Sequence, residues 1–223
     1  SIAHYSDSLV LNGDTTNAGT GNINLDDADP ADTKHYLAFD GIRHAGIVDN
    51  TANKADIAGA ISLNAFKAQR ARMLDTTYLH DWGHPVDPND LIHVADPGTA
   101  DEVAFMDEVL TVDKYGPMAT VLTGEQAKVL GNPLIASIAM SKTEADGKVS
   151  TTGGSNTKGQ VCTFNRRGFV VGVRRRLKVE TERLPATDQT RIVLSTRMGF
   201  GRFSPTGAAS GIESADVLYN ISL

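Results

Sequence analysis

The sequence predicts an α+β fold, in which helical and extended segments are concentrated in different parts of the chain. The helical patterns fall within 1–130, whereas 160–203 contains a short strand, a turn, one very long strand and a long returning strand. An ordinary strand has about five or six residues. We therefore expect the two long strands to form a ribbon rather than part of a compact sheet.

The long strand predicted at 169–182 has two chemically different faces. One face is apolar except for Arg175 and carries Phe169, Val171, Val173, Leu177 and Val179. The other face is charged and carries Arg174, Arg176, Lys178, Glu180 and Glu182. Period-two alternation is typical of a strand with one face in a core. The pattern therefore predicts a half-buried strand, paired with 190–198.

Turn and capping signals divide the rest of the chain. The first 11 residues have the pattern of the end of a helix, which an Asn12-Gly13 turn terminates. Capping boxes at Thr99/Glu102 and Thr123/Gln126 indicate two further helix starts. In order, we expect a loop at 13–34, a short helix at 37–48, a helix at 55–74, a turn at 81–90, a strand at 91–94, helices at 100–110 and 124–130, a strand at 134–140 and a loop at 142–159.

Composition excludes several classes of protein. The net charge of −6 argues against a nucleic-acid-binding protein, which is normally basic. No apolar run approaches the roughly 20 residues that a transmembrane helix needs, so we predict no membrane association. The single cysteine, Cys162, lies between apolar residues of a predicted strand. We expect it to be a buried thiol without chemical reactivity.

The densest group of possible metal ligands lies within 80–93 and comprises His80, Asp81, His84, Asp87 and His93. Histidines at this spacing occur in zinc sites. However, Gly83 and Pro85 would break the helix needed to bring His80 and His84 onto one face. A solvated turn is the simpler interpretation. We predict no metal site, no cofactor, no catalytic residue and no enzymatic activity.

The run from Arg174 to Lys178, with Arg166 and Arg167 upstream, is the densest basic stretch. Acidic residues follow it immediately, so the ribbon carries both signs of charge along its length. Mixed charge favours contacts between copies of the chain, where complementary charges fix the register. We expect the contacts between subunits to be made by Arg174, Arg176, Lys178, Glu180, Glu182 and Arg191.

Three segments together resemble the major capsid proteins of tailed double-stranded DNA bacteriophages, which share the Hong Kong 97 phage capsid fold. SLVLNGD at 8–14 is similar to the end of the family's spine helix and the turn after it. GPMATVLTGEQAKVLGNPLIASIAM at 116–140 resembles the helix, turn and central strand of the axial domain. RRGFVVGVRRRLKVETER at 166–183, followed by TDQTRIVLSTRMGFGRF and ADVLYNI, resembles the peripheral ribbon and the C-terminal strand.

The resemblance implies a domain organisation. The end of the spine helix and a loop of the peripheral domain would occupy 1–36. The axial domain, a mixed sheet flanked by helices, would occupy 37–159, and the peripheral-domain ribbon would occupy 160–203. The last segment, 204–223, would return to the axial domain. The family's N-terminal arm, extended hairpin loop and most of its spine helix have no counterpart in this sequence, so we expect the chain alone to be monomeric or weakly associated.

The resemblance also implies a function. The chain would be a structural subunit of an icosahedral head in the virion, assembled in the host bacterial cytoplasm. Its partners would be copies of itself in hexamers and pentamers, scaffolding, portal and decoration proteins, and double-stranded DNA packaged non-specifically. Two alternatives remain open. One is a cellular nanocompartment shell protein of the same fold, which encloses cargo enzymes. The other is a metal-dependent enzyme using the 80–93 histidine cluster.

Overall fold

The computed structural model describes residues 2–16, 22–24, 35–49, 51–74, 87–106, 128–202 and 215–223. Its helices are α1 (Ile2–Asn12), α2 (Ile42–His44), which a π-helical turn (Ala45–Asp49) continues, α3 (Leu63–Met73) and α4 (Pro97–Ala104). Its strands are β1 (Lys54–Gly59), β2 (Leu91–Ala95), β3 (Lys128–Val129), β4 (Asn132–Ala136), β5 (Gly159–Asn165), β6 (Phe169–Leu184), β7 (Gln189–Arg202) and β8 (Ala215–Ile221). Short 3-10 turns lie at His35–Leu37, Thr51–Asn53, Pro88–Asp90 and Gly153–Ser155.

The strands form a mixed six-stranded sheet and a separate two-stranded ribbon, as the predicted α+β class requires. The order in the large sheet is β1-β8-β5-β2-β4-β3, and β6 pairs with β7 in the ribbon. Within the large sheet, β1 runs parallel to β8 and β2 parallel to β4, while the other neighbours are antiparallel. Strand β5, which we expected to belong with the ribbon, lies in the middle of the large sheet. The boundaries at 36, 159 and 203 between axial and peripheral domains stay a prediction.

The large sheet carries a hydrophobic core on each face, because successive residues of a strand point to opposite sides. On β5 and β8, Cys162 and Val217 enter the core with α1 and α2, whereas Val161 and Leu218 enter the core with α3. All four residues are fully buried. Cys162 is buried as expected, and burial raises the pKa of its thiol to about 12.

A row of polar residues crosses the sheet beneath α3. His93, Thr163 and Asp216 lie directly opposite one another on the neighbouring strands β2, β5 and β8. The Thr163 hydroxyl lies 2.6 Å from Nδ1 of His93 and donates to Oε1 of Gln69 at 2.7 Å. Arg72 of the same helix donates to both oxygens of the Asp216 carboxylate, at 2.6 and 2.8 Å. These bonds fix α3 above three adjacent strands.

A buried arginine holds the opposite face together. Arg43 of α2 is fully buried, and its guanidinium donates to Oδ1 of Asn12 at 2.8 Å and to the Gly147 carbonyl at 2.9 Å. The Asn12 amide in turn donates to the Ala139 carbonyl at 2.6 Å. Burial lowers the pKa of Arg43 to about 10, so it stays charged at neutral pH and joins α1, α2 and the 137–148 segment.

Two predicted helices begin at different residues from those expected. The helix expected at 55–74 begins at Leu63, capped by Ser62, and the residues before it form β1. Their helical propensity is overridden because β8 offers a free edge with which β1 pairs. The helix expected at 100–110 runs instead from Pro97, capped by Asp96, to Ala104, and 107–110 lie outside the described residues.

The helix expected at 124–130 is wrong for the residues that are described. Lys128 and Val129 form β3, a strand of a tight hairpin with β4, and 124–127 lie outside the described residues. Leu130 and Gly131 both have positive φ, at 52° and 87°. This is the conformation of a two-residue hairpin turn. The glycine expected to end a helix therefore turns a hairpin.

Two glycines allow the end of α1 to contact the segment before α2. The backbone N–H of Gly41 donates to the Gly13 carbonyl at 2.7 Å. A Cβ atom on Gly13 would lie 2.2 Å from the Phe39 carbonyl oxygen and 2.7 Å from that of Leu9. No side chain fits at this position without a shift of the backbone.

We expect Gly13→Ala to lower the free energy of unfolding by about 1–3 kcal/mol, because the backbone must move to admit a methyl group. Urea unfolding followed by circular dichroism measures the change. Gly154→Ala is the matched control, since nothing lies within 4 Å of its added Cβ, and its effect should stay within about 0.5 kcal/mol. Equal unfolding midpoints for the two variants would contradict the tight contact.

We expect His93 to make the protein less stable as the pH falls. Burial lowers its pKa to about 4, against about 6.5 for an exposed histidine. Between these values the unfolded chain binds a proton that the folded chain does not. Stability is therefore fully present above about pH 6.5 and declines toward pH 4, by up to about 3 kcal/mol. Urea unfolding between pH 7 and 4.5 tests this, and His93→Gln should have a shallower pH dependence than the parent. Parallel curves would exclude the effect.

Candidate subunit interface on the ribbon

The ribbon is long and regular at both ends. Its ladder runs from Phe169 opposite Arg202 to Leu184 opposite Gln189. Strand β6 contributes 16 residues and β7 contributes 14, so the ribbon reaches about 50 Å at the usual rise per residue. Asp188 in the turn has a φ of 49°, a conformation that aspartate tolerates better than most residues.

The ribbon is exposed on both faces, so the expectation of a half-buried strand is wrong for this chain. Every residue of β6 between its two ends is exposed. The alternation in sequence correctly predicted two chemically different faces. However, the ribbon forms a sheet of its own, and the described residues supply no second layer to cover its apolar side. The surface that would cover it is therefore not found in the described part of this chain.

Four aliphatic side chains form an exposed apolar patch near the far end of the ribbon: Leu177, Val179, Ile192 and Leu194. Val179 lies opposite Leu194, and Thr181 lies opposite Ile192, which puts these residues on one face. The exposed fractions of the four range from 50% for Leu194 to 62% for Ile192. Isolated exposed leucines are ordinary, whereas a contiguous exposed apolar group on a protruding element is a candidate contact surface.

The opposite face of the far end is charged. Lys178 lies opposite Ser195, Glu180 opposite Val193, and Glu182 opposite Arg191. Lys178 and Glu180 form an ion pair, and the hydrogen bond from Lys178 lowers the pKa of the Glu180 carboxyl. Part of the mixed charge expected to serve contacts between subunits therefore pairs within the ribbon itself.

Two irregularities lie in the middle of β6. The register shifts between Val173 and Arg175 and again between Arg175 and Lys178. Arg175 donates to the Ser195 hydroxyl at 3.0 Å, and the Thr196 hydroxyl donates to the Arg175 carbonyl at 3.1 Å. These bonds hold the irregular stretch in place. All six residues predicted to contact other subunits are exposed on the ribbon, and their role in contacts stays a prediction.

Aromatic rings attach the ribbon to the core. Phe169 and Phe200 stack with ring centroids 5.3 Å apart, and Phe200 stacks on Phe39 at 5.5 Å. Phe164 of β5 meets the edge of Phe169 at 6.1 Å. At the end of β7, Arg202 forms an ion pair with Asp49 at 3.1 Å. The base of the ribbon is therefore fixed, in contrast to its exposed length.

One buried carboxylate holds the turn between β5 and β6. Asp90, at the start of β2, is 3% exposed and accepts from Arg166 at 2.6 Å and from Arg167 at 2.8 Å. The Arg166 backbone N–H also donates to the Asp90 carbonyl at 3.1 Å. These arginines, grouped by sequence with the basic run of β6, instead anchor the chain where it leaves the large sheet.

The 80–93 histidine cluster is only partly described. His80 and His84 lie outside the described residues. His93 is 2% exposed and packs edge-on against the Phe66 ring, with centroids 5.3 Å apart. It is therefore part of the core beneath α3 rather than a ligand on an accessible surface.

Sequence patterns did not reveal two other features. The apolar patch includes Ile192 and Leu194, which the sequence assigned only to the returning strand. A second polar group brings Asp14, Asp40 and His44 together. The spacing of four residues between Asp40 and His44 was visible in the sequence, but nothing there indicated that Asp14 would join them.

No family model and no curated protein matches the sequence. Among solved structures, a chain from Mycobacterium phage Che8 resembles it with a TM-score of 0.52 and 14% identity, over 97% of this chain and 58% of that one. The asymmetric unit of the bacteriophage PhiM1 mature capsid matches with a TM-score of 0.43 and 13% identity, over 70% and 45%. The capsid structure of cyanophage P-SCSP1u matches with a TM-score of 0.47 and 22% identity, over 72% and 46%.

The likeness to the Che8 chain extends over nearly the whole of this chain and shows a shared fold. The predicted α+β fold, with a mixed sheet and a long antiparallel ribbon, is confirmed, and this chain shares its fold with the Che8 phage chain. The chain spans about half the length of the solved structures it matches. Within the described ranges, none of the helices has the length and apolar character needed to cross a membrane.

We expect the far end of the ribbon to open more readily than the large sheet in the isolated chain, because a two-stranded ribbon without a covering layer is marginally stable. Hydrogen exchange followed by mass spectrometry measures this. Hydrogen-bonded amides of 177–182 should exchange at least about tenfold faster than those of β5. Equal protection in the two strands would show that the ribbon is stable without a partner.

Proposed function

We propose that this chain is a structural subunit of a phage head and that its ribbon contacts a neighbouring copy. The observation that carries the proposal is the exposed apolar patch on a ribbon that extends from a firmly attached base. The shared fold with a phage structure supports the same conclusion. In this proposal the function resides in repeated self-association, and the chain has no enzymatic role.

The energetics favour a partner over free solvent. Burying one of the aliphatic side chains of the patch contributes about 1.5–3 kcal/mol, and association must offset the loss of free rotation and translation. One patch gives a weak contact. Closed symmetry repeats the contact many times, so an assembly of hexamers and pentamers is stable even where each pairwise contact is weak.

The charged face would determine which neighbour fits. Arg174, Arg176 and Arg191 have no ion pair among the described residues, whereas Lys178 is already paired with Glu180. Unpaired arginines at the edge of an apolar contact select a partner of complementary charge more than they add affinity. The six predicted contact residues would therefore set register and orientation, while the apolar patch would supply the free energy of association.

The remaining roles follow from the capsid resemblance. We propose that the assembled shell is part of the virion and forms in the host bacterial cytoplasm. Scaffolding, portal and decoration proteins would be further partners. Packaged double-stranded DNA would be enclosed without specific binding, since a chain of net charge −6 has little electrostatic attraction for phosphate.

Substituting the patch tests the contact. Val179 and Leu194 are each half exposed or more, so the double variant Val179→Lys/Leu194→Lys should fold normally. We expect it to weaken self-association by at least about tenfold, because each lysine would have to lose its hydration in the contact. Sedimentation velocity over a wide concentration range measures the association constant.

Glu102→Lys is the matched control, because it changes the net charge by the same amount on an exposed position of α4. It should associate like the parent chain. If both variants associate equally, the patch is not a subunit contact. The contents of particles built from this chain separate the two kinds of shell: nuclease-protected double-stranded DNA supports a phage head, and cargo enzymes without DNA support a nanocompartment.

A further inference from the structure

A compact group of possible metal ligands lies beside the base of the ribbon. It consists of Asp14, just after α1, Asp40, just before α2, and His44 at the end of α2. Nε2 of His44 lies 3.6 Å from Oδ1 of Asp14 and 3.8 Å from Oδ1 of Asp40. One ligand atom from each of the three lies within 4.8 Å of the other two.

Backbone and side-chain hydrogen bonds hold the two carboxylates in place. Asp14 is fully buried, and its oxygens accept from the backbone N–H groups of Thr16 at 2.8 Å and Ile23 at 2.9 Å. Oδ1 of Asp40 accepts from both the N–H and the hydroxyl of Thr15, each at 2.8 Å. Each oxygen of Asp14 accepts one of these bonds and keeps a second lone pair, whereas both Thr15 bonds go to Oδ1 of Asp40 and leave its Oδ2 for a cation.

His44 is the observation that separates this group from an ordinary acidic cluster. It is 6% exposed, and its Nδ1 has no hydrogen-bond partner among the described residues. That nitrogen lies 3.5 Å from Oδ1 of Asp49. Histidines that bind a metal through one ring nitrogen commonly direct the other toward a carboxylate. His44 therefore has the arrangement of a metal ligand, and Asp49 has that of the carboxylate that supports it.

The charge of the group is unbalanced. Asp49 is paired with Arg202. In contrast, no lysine or arginine among the described residues lies within ion-pair distance of Asp14 or Asp40. The buried Arg43 attracts Asp14 without contacting it, and Asp40 is partly exposed. The remaining cost is that of holding two carboxylates close together beside a histidine that balances them only when it is protonated. A bound cation would remove the imbalance.

We propose that Asp14, Asp40 and His44 form a binding site for a divalent cation of the zinc or manganese class. One imidazole nitrogen and two carboxylates suit these ions, whereas calcium and magnesium prefer ligand sets made of oxygen alone. The side chain of Asp40 is 45% exposed. It provides an entry path and leaves the remaining coordination positions to water.

The site would join three parts of the fold that are distant in sequence. Asp14 follows α1 and His44 ends α2. The supporting carboxylate, Asp49, is paired with Arg202 at the end of β7. A cation here would hold the base of the ribbon to the helices on the same face of the sheet. The inference depends on this geometry alone and stands whether or not the ribbon contacts another copy.

Isothermal titration calorimetry of the metal-free chain with zinc chloride tests the site, with manganese chloride and calcium chloride as parallel titrations at neutral pH. We expect one equivalent of zinc or manganese to bind and to raise the melting temperature, since binding to the folded state stabilises it. Calcium should bind at least about tenfold more weakly. Asp40→Asn and His44→Gln should each weaken zinc binding by about tenfold or more, and Asp49→Asn by about 10- to 100-fold.

Asp101→Asn, at an exposed position of α4, is the control and should bind zinc like the parent. Circular dichroism establishes that each variant is folded, and the half-exposed Asp40 makes Asp40→Asn the decisive one. Absence of saturable zinc and manganese binding would overturn the proposal. Zinc binding that Asp40→Asn leaves unchanged would overturn it too, because the ion would then occupy other side chains. Calcium binding as tight as zinc binding would refute the assigned class of cation.

Discussion

The buried ion pair between Arg72 and Asp216 is the interaction on which the rest of the architecture depends. The Asp216 carboxylate has no exposed surface, and burial raises its pKa while Arg72 opposes the rise. Removing one partner of such a pair costs about 3–5 kcal/mol. Gln69, on the same helix as Arg72, donates to the Asp216 carbonyl and accepts from Thr163, which contacts His93. These bonds connect the pair to β5 and β2 and set the position of α3 on the sheet. In the chain the ribbon lies between β5 and β8, and both are interior strands of the large sheet.

The residues that stabilise the fold are therefore separate from those that the ribbon exposes. The polar row under α3, the buried Arg43 and the two hydrophobic cores hold one rigid sheet, and the phenylalanine stack with the Asp90 ion pairs attaches the ribbon to it. Beyond that base the ribbon contributes little to the core. Substitutions on the ribbon can consequently change its exposed surface without unfolding the chain.

Local sequence patterns correctly predicted the features that depend on residues close together in the sequence. The end of α1, the buried Cys162 and the two faces of β6 followed from turn chemistry and period-two alternation. Elements that depend on distant strands were missed: Lys54–Gly59 is extended because β8 pairs with it, and Leu130-Gly131 turns a hairpin because β3 pairs with β4, which β2 in turn holds in the large sheet. Alternation also cannot tell whether an apolar face meets its own core or another molecule. The Asp14, Asp40 and His44 group escaped for a related reason, since only the close approach of Gly13 and Gly41 brings Asp14 to the others.

The register shifts in β6 make the two edges of the ribbon unequal, with 16 residues facing 14. A band whose edges differ in length cannot lie flat, and extra residues on one strand bend it and increase its right-handed twist. The ribbon is thus a curved arm with β6 on the longer arc. Two surplus residues in β6 produce this bend, and the bonds of Arg175 with Ser195 and Thr196 hold it. A surface that binds this ribbon would need a matching curvature. A flat surface with complementary charge and apolar residues would therefore still bind it poorly.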